Sequence, residues 1–337
     1  MMRFSTSIIG TLVRYSTSHQ CFINQYKHSC VMIKRSYCEK FDISKVTLSN
    51  RENSSLDGVK KAVKKTVKKT KTKLEVTQST DTDIVIPECF SVLLELPLTA
   101  EKKVDKGKLE EFKQIIEEID IKYLPSVSTV IKATESKKQK EVLENWKKQK
   151  IEELGGEEKF LNYQKKTLGK GLNLHKCIEL TLKGQTEDVN INPNNEGHWR
   201  SVKDILDDVK DTKVIEEPCV HPEMFYNGKV DCVADFRGNM SLIEWKTSSK
   251  MKPILSSTYD NPLQVVAYMG AINRSGILKQ YNVPCLKHGA LVFAYPSGEP
   301  ATVHLMSSKI CEKYWQQWLK RVFNYWTIQY KASSLAS

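Results

Sequence analysis

The sequence predicts a single α/β domain with a mixed sheet, reached through a long basic N-terminal segment. Helical spacing of apolar residues begins near residue 105, gives way to five alternating runs broken once by a helical pattern, and returns at the end. Helices before, between and after such runs indicate a sheet flanked by helices. Charge separates the two parts. Residues 1–80 hold 16 Lys/Arg against 5 Asp/Glu, and the remainder holds 36 against 35. The formal charge of +12 therefore belongs to the tail, and a nucleic-acid site in the folded part must show as a local constellation.

Residues 1–38 carry five Lys/Arg, many Ser/Thr and no acid. Phe4, Ile8, Ile9, Leu12 and Val13 cover one half of a helix, with Arg3 and Arg14 on the other. That is the composition of a mitochondrial transit peptide. Residues 39–105 read as a basic, solvated linker. Its stretch "VKKAVKKTVKKTKTK", residues 59–73, has eight lysines and no acid, and like charges at i,i+4 repel. No apolar run approaches the ~20 residues that span a bilayer, so a soluble protein is expected.

The domain is expected over 106–337. Leu109, Phe112, Ile115, Ile116 and Ile119 form a helical stripe ended by Pro125. After the Ser/Thr-rich "LPSVSTVIKAT", a charged helix over about 135–153 breaks at Gly155-Gly156, and a second runs over about 157–183. "HWRSVKDILDDV" is a short helix. "KVIEEPCVH", "KVDCVADF" and "MSLIEWKT" are strands. "NPLQVVAYMGAINRSGILKQY" is a helix with Asn261 as cap and Pro262 at its first position. "GALVFAY" and "ATVHLMS" form a hairpin around Pro296-Ser297-Gly298, and "EKYWQQWLKRVFNYWTIQY" closes the chain as a helix. The nine cysteines include no C-x-x-C pair and read as reduced thiols. No heptad run or large exposed apolar stripe is evident, so a monomer is expected.

The second and third strands carry the chemistry. With Gly238-Asn239 as a two-residue loop, Arg237 pairs with Met240, Asp231 lies across from Lys246, and Val233 across from Glu244. Opposed residues share a face, so Asp231, Glu244 and Lys246 project together while Val230, Cys232, Ile243 and Trp245 occupy the other side. Asp231 and Glu244 become diagonal neighbours, roughly 5–8 Å apart at Cβ. A divalent ion with oxygen ligands at ~2.0–2.5 Å fits between them. Phosphodiester hydrolysis needs a hard cation, an activated water, and compensation of growing negative charge. A lysine two residues after the second acid can orient or deprotonate the water and offset charge. The plainer alternative is a surface ion pair between Asp231 and Lys246, worth under ~1 kcal/mol.

Two further features accompany this set. His175 lies on the stripe Leu168, Leu172, His175, Ile178, Leu182, where a hydrogen-bonded core histidine is the common case, and Glu179 one turn on could orient it. Gln264 and Tyr268 share a face of the helix that follows the third strand.

His175-x-x-x-Glu179, Asp231, Glu244-x-Lys246 and Gln264-x-x-x-Tyr268 together resemble the RecB-like branch of the PD-(D/E)XK nucleases, over roughly residues 120–330. The resemblance implies a restriction-endonuclease-like mixed sheet flanked by helices, with an N-terminal helical arch from the 135–185 region. It implies a metal-dependent exonuclease on single-stranded DNA, trimming free ends and 5′ flaps in the mitochondrial matrix, with the replication machinery as a candidate partner. His175, Asp231, Glu244 and the Trp245 carbonyl would hold Mg²⁺ or Mn²⁺, Lys246 would be catalytic, and Gln264 would position substrate or water. Ser126, Ser128 and Thr129 would lie near phosphates, with Tyr268 also on the substrate side. The motif proline is Val230 here, the second acid is Glu, and the four-cysteine spacing of iron–sulfur relatives is absent. A non-cutting binding module and a flap endonuclease are the alternative readings.

Overall fold

The computed structural model describes residues 84–99, 104–119 and 123–336. All of these except Tyr123 belong to one compact unit. The transit-peptide and lysine-run expectations fall on residues 1–83, outside the described part.

Seven α-helices and five strands make up the described domain: α1 Lys106–Glu118, α2 Val127–Ala133, α3 Lys137–Leu154, α4 Glu157–Leu182, α5 Glu196–Val202, β1 Val209–His221, β2 Tyr226–Phe236, β3 Asn239–Thr247, α6 Asn261–Ser275, β4 His288–Ala294, β5 Thr302–Met306 and α7 Ser308–Ala336. The strands form one sheet in the order β1-β2-β3-β4-β5, with β3 and β4 parallel and the other pairs antiparallel. The crossover between the parallel strands carries α6, which explains why a helical pattern interrupts the alternating runs.

One face of the sheet, with Cys232, Ala234, Phe236, Ile243, Trp245, Ala290 and Val292, packs under Leu174 and Ile178 of α4 and Val202 of α5. Elsewhere the core is filled by α6, where Leu263 through Ile272 are buried apart from Gln264, and by Trp315, Trp318, Leu319, Val322 and Trp326 of α7.

Several boundaries differ from expectation. The segment assigned to the end of the linker is folded: a 3-10 helix, Glu88–Leu94, buries Phe90, Val92 and Leu93. Phe90 meets Phe112 edge-on at 5.0 Å, and the Trp315 indole N–H donates to the Leu96 carbonyl at 2.7 Å. Apolar residues at 90–98 lacked a helical period, so the sequence pattern did not mark them. α1 stops at Glu118, where Ile119 turns extended, ahead of Pro125. The cap of α6 is Asp260, not Asn261, which sits one place inside. The 198–209 pattern divides into α5 and a 3-10 turn, Lys203–Asp208.

The hairpin turns one residue earlier than Gly238-Asn239. Phe236 pairs with Asn239, so Arg237-Gly238 is the loop, with φ of 54° and 84°. Two consecutive positive φ values give the primed turn whose twist suits a two-residue hairpin. The Arg237 guanidinium holds the unusual conformation through Asp208 at 2.8 Å, and Asp235 Oδ1 accepts from Gly238 N–H at 2.8 Å.

Candidate metal centre

The register change moves every cross-strand pair by two residues, which keeps each side chain on its expected face. Asp231 therefore falls level with Glu244 instead of Lys246. The two acids stand just beyond the last β2–β3 pair, Cys232↔Ile243. From there β2 continues beside β1 as far as Tyr226, while β3 continues beside β4 as far as Thr247. The sheet forks, and the carboxylates occupy the fork. Trp245 N–H, freed from a strand partner on that side, donates to Asp231 Oδ2 at 2.9 Å.

His175 reaches the fork from α4. Its Nε2 lies 3.0 Å from the Trp245 carbonyl, and its Nδ1 lies 3.3 Å from Glu216 Oε1 and 3.4 Å from Asp231 Oδ1. Lys246 Nζ donates to Glu244 Oε1 at 2.6 Å. Asp231, Glu244, Lys246, His175 and the Trp245 carbonyl thus lie together at the fork.

Burial makes these charges matter. It pushes the Glu244 carboxyl up to about 7, assisted by Asp231 and opposed by Lys246 and His175. Burial opposes charge on His175, yet Asp231, Glu216 and Glu244 raise its imidazole to about 10. Asp231 is held below the ordinary carboxylate range against its own burial, chiefly by His175. The Lys246 ammonium is raised despite desolvation by Glu244 and Asp231.

The other expected residues surround this centre at greater remove. Gln264 donates to the Tyr268 hydroxyl at 2.9 Å, and the charges of Glu244 and Asp231 help burial raise the Tyr268 phenol. Ser126 caps α2, accepting from Thr129 N–H at 3.1 Å with its Oγ 2.8 Å from Thr129 Oγ1. Asn227 staples that corner to β2: its N–H donates to the Pro125 carbonyl and its side chain to the Leu124 carbonyl, both at 2.9 Å. Ser128 and Thr129 are exposed there. The three hydroxyls thus flank the strand that carries Asp231.

No protein-family model matches the chain. The chain is similar to mitochondrial genome maintenance exonuclease 1. Identity with the Homo sapiens protein is 40% over 204 residues, covering 60% of this chain and 58% of that protein. The Mus musculus protein shares 38% over 206 residues (60% and 59%), and the Xenopus tropicalis protein 37% over 203 residues (60% and 57%). The chain therefore spans somewhat under three-fifths of the length of these curated relatives. The nuclease kinship expected from the motifs is borne out by their names.

Against that background the two surprises of the centre are Glu216 and Lys229. Glu216 lies on β1 between the pairs Ile215↔Cys232 and Glu217↔Val230, with a φ of 54° that directs its carboxylate to His175. Lys229 forms an ion pair with its other oxygen. Glu179, the expected orienting acid, instead pairs with Lys176 and Lys183 at 3.0 and 2.6 Å. The acid in "VIEEP" was readable as a strand acid, but the β1–β2 register that sets it beside Asp231 was not. The expected apolar stripe through His175 is also corrected. Leu168 and Leu172 are 65% and 63% exposed, and the buried face of this part of α4 is Leu174, Cys177 and Ile178. With Val142, Leu143 and Leu161 also exposed, α3 and α4 carry more open apolar surface than expected. Gly228 was overlooked as well: a Cβ there would sit 2.3 Å from the Tyr268 ring.

The donor set fits a divalent cation. His175 and Asp231, with Glu216 against the imidazole, place their polar atoms within 4.8 Å of one another. Glu244 Oε2 is buried with no hydrogen-bond partner among the described residues, which leaves a lone pair at the fork open to a cation. Hard oxygens with one imidazole suit Mg²⁺ or Mn²⁺. The five described buried thiols, Cys89, Cys177, Cys219, Cys232 and Cys311, form no such group.

Proposed function

We propose that this protein is a metal-dependent exonuclease of the PD-(D/E)XK fold that hydrolyses single-stranded DNA from free ends and 5′ flaps. Its setting is the mitochondrial matrix, during replication and maintenance of mitochondrial DNA. The observation that carries the reading is the fork, which converges Asp231, Glu244, Lys246 and His175 and leaves Glu244 Oε2 unpartnered. The mixed sheet with parallel β3 and β4 supports the fold assignment, and the name of the relatives supports the reaction and the compartment.

His175, Asp231, Glu244 and the Trp245 carbonyl would hold the Mg²⁺ or Mn²⁺ ion, with Glu216 orienting the imidazole. A divalent ion there supplies Lewis-acid polarisation of the phosphate. Lys246, kept as an ammonium by Glu244, orients the attacking water and offsets the negative charge that grows on the phosphorane oxygens. Gln264, fixed by Tyr268, positions the substrate, and Ser126, Ser128 and Thr129 meet the backbone phosphates on the β2 side. No helix among the described residues is long and apolar enough to cross a membrane.

The test is digestion of end-labelled linear, flap, duplex and circular DNA with Mg²⁺, Mn²⁺ or EDTA. Linear single strands and flaps should be shortened from their ends only with metal, and Lys246→Ala should bind DNA without cutting it. Cleavage of the circle would make the enzyme an endonuclease. Binding without cleavage in every metal would leave a binding module.

A further inference from the structure

The loop joining β3 to α6 is tied down on all sides and yet presents one aromatic ring to water. Lys252 N–H donates to the Tyr295 hydroxyl at 3.1 Å, and the Lys252 carbonyl meets His304 Nε2 at 2.8 Å. A 3-10 turn, Leu255–Thr258, follows, closed by Ser257 Oγ on the Ile254 carbonyl and Thr258 Oγ1 on the Leu255 carbonyl, both at 2.6 Å. Thr258 is fully buried, and Asp260 is paired with Arg321 at 2.9 Å. Between these two anchored residues Tyr259 is 79% exposed, with φ 55° and ψ −128°. That backbone region is costly for an aromatic residue, and no core contact of the ring compensates. The ring is met by Lys252 Nζ, 4.6 Å from its centroid, while the same ammonium donates to the Ser257 carbonyl at 3.1 Å.

A mobile loop that exposed a tyrosine would need no explanation. A rigid one that does so at conformational cost has a preformed surface, and preorganisation benefits binding. The chemistry of the surroundings selects the ligand. Lys250 and Lys252 supply positive charge, and Arg321 neutralises Asp260. Met251 and Ile254 add exposed apolar surface. Flat π-surface beside cations suits an unpaired base with its phosphates. The loop leaves β3 one residue after Lys246 and enters α6 three residues before Gln264, so it joins the two elements that carry those residues.

We propose that Tyr259 is a stacking platform for an unpaired base of the bound single strand, with Lys250 and Lys252 meeting its backbone. This rests on the nuclease reading above and extends it to a subsite. Every base has a π-face, so the platform tolerates any sequence and serves deoxy- and ribo-strands alike.

The experiment uses the full chain and single strands carrying 2-aminopurine at successive positions, with EDTA present to prevent cleavage. Tyr259→Asn is the informative variant, because φ 55° with ψ −128° is the first central position of a type II′ turn, which favours glycine, asparagine and aspartate over tyrosine. Its melting temperature should equal or exceed that of the wild type, while the dissociation constant for single strands rises about ten-fold. Fluorescence quenching at one strand position should vanish in Tyr259→Asn and persist in Tyr259→Trp. Binding of both DNA and RNA single strands should fall together, and blunt duplex binding should not change. Equal affinity and equal quenching in Tyr259→Asn would overturn the platform while leaving the nuclease reading intact, and would return the ring to candidacy as a protein contact. Equal weakening in Tyr259→Trp would also overturn it, since the ring would then matter only for loop shape. A wild-type protein that binds no single strand at all would overturn both.

Discussion

His175 has a ring nitrogen on each side and an oxygen waiting at both: the Trp245 carbonyl at Nε2, and Glu216 with Asp231 at Nδ1. A metal-ligating histidine characteristically gives its second N–H to a carboxylate, which fixes the ring and strengthens the ligating nitrogen. Glu216 is suited to that task because Lys229 holds its far oxygen. Replacing Glu216 with Gln should therefore weaken Mn²⁺ binding by about 10–100-fold, read directly by calorimetry or by the electron-spin signal of the free ion. An unchanged affinity would remove Glu216 from the centre. Lys246→Ala should leave that affinity within a few-fold while abolishing cleavage, since its ammonium acts on water and phosphate. Tyr268 depends on an absence of side chain at Gly228, where an added Cβ would lie 2.3 Å from its ring. Gly228→Ala should displace Tyr268 and with it Gln264, costing about 1–3 kcal/mol of stability in a urea titration. Turnover should fall as well.

At the scale of elements, the strands and most helices were legible because alternation and helical spacing are properties of the segment alone. The β2–β3 register was not, because a turn of positive φ is advertised by glycine and asparagine, and Arg237 gave no such sign. The face assignment survived because the slip was even; a slip of one residue would have sent Asp231 and Glu244 into the core. Long helix α4 misled for a different reason. Between Glu157 and Asn173 only Phe160 is buried, so the exposed leucines there imitate a packing stripe that only the last turns possess. Residues 90–98 were missed because they pack as an irregular strap. Phe90 lies between Phe112 and Tyr330, and the carbonyls of Leu96 and Leu98 receive Trp315 and Asn273. A chain beginning at residue 84 keeps this strap. One beginning at 106 should lose several kcal/mol, since truncating a single buried phenylalanine typically costs about 3–5. Coincident melting curves for the two would show that the strap adds nothing.

For the molecule as a whole, pH acts through a buried imidazole at the end of β1. His221 ends β1 with its ring stacked on Trp315 and tilted against Tyr226. Its Nδ1 accepts from Met224 N–H at 3.3 Å, and its Nε2 has no partner. Burial first, and the Arg274 guanidinium of α6 second, push it down to about 3, while Glu223, the nearest acid in sequence, is occupied by Arg274 at 2.9 Å. The folded protein therefore refuses a proton that the unfolded chain accepts near pH 6.5. Above that pH both states are neutral and the group is indifferent. Below it the unfolded state binds the extra proton, so stability falls with falling pH at about 1.4 kcal/mol per unit until the folded value is reached. Other groups titrate over the same range, so the difference between wild type and His221→Gln isolates this one. Urea midpoints at pH 7 and pH 5 should draw apart for the wild type more than for His221→Gln. Parallel profiles would mean that the folded protein takes up the same proton, which must go to Nδ1 and break its bond with Met224 N–H, because Nε2 already carries the hydrogen of the neutral ring.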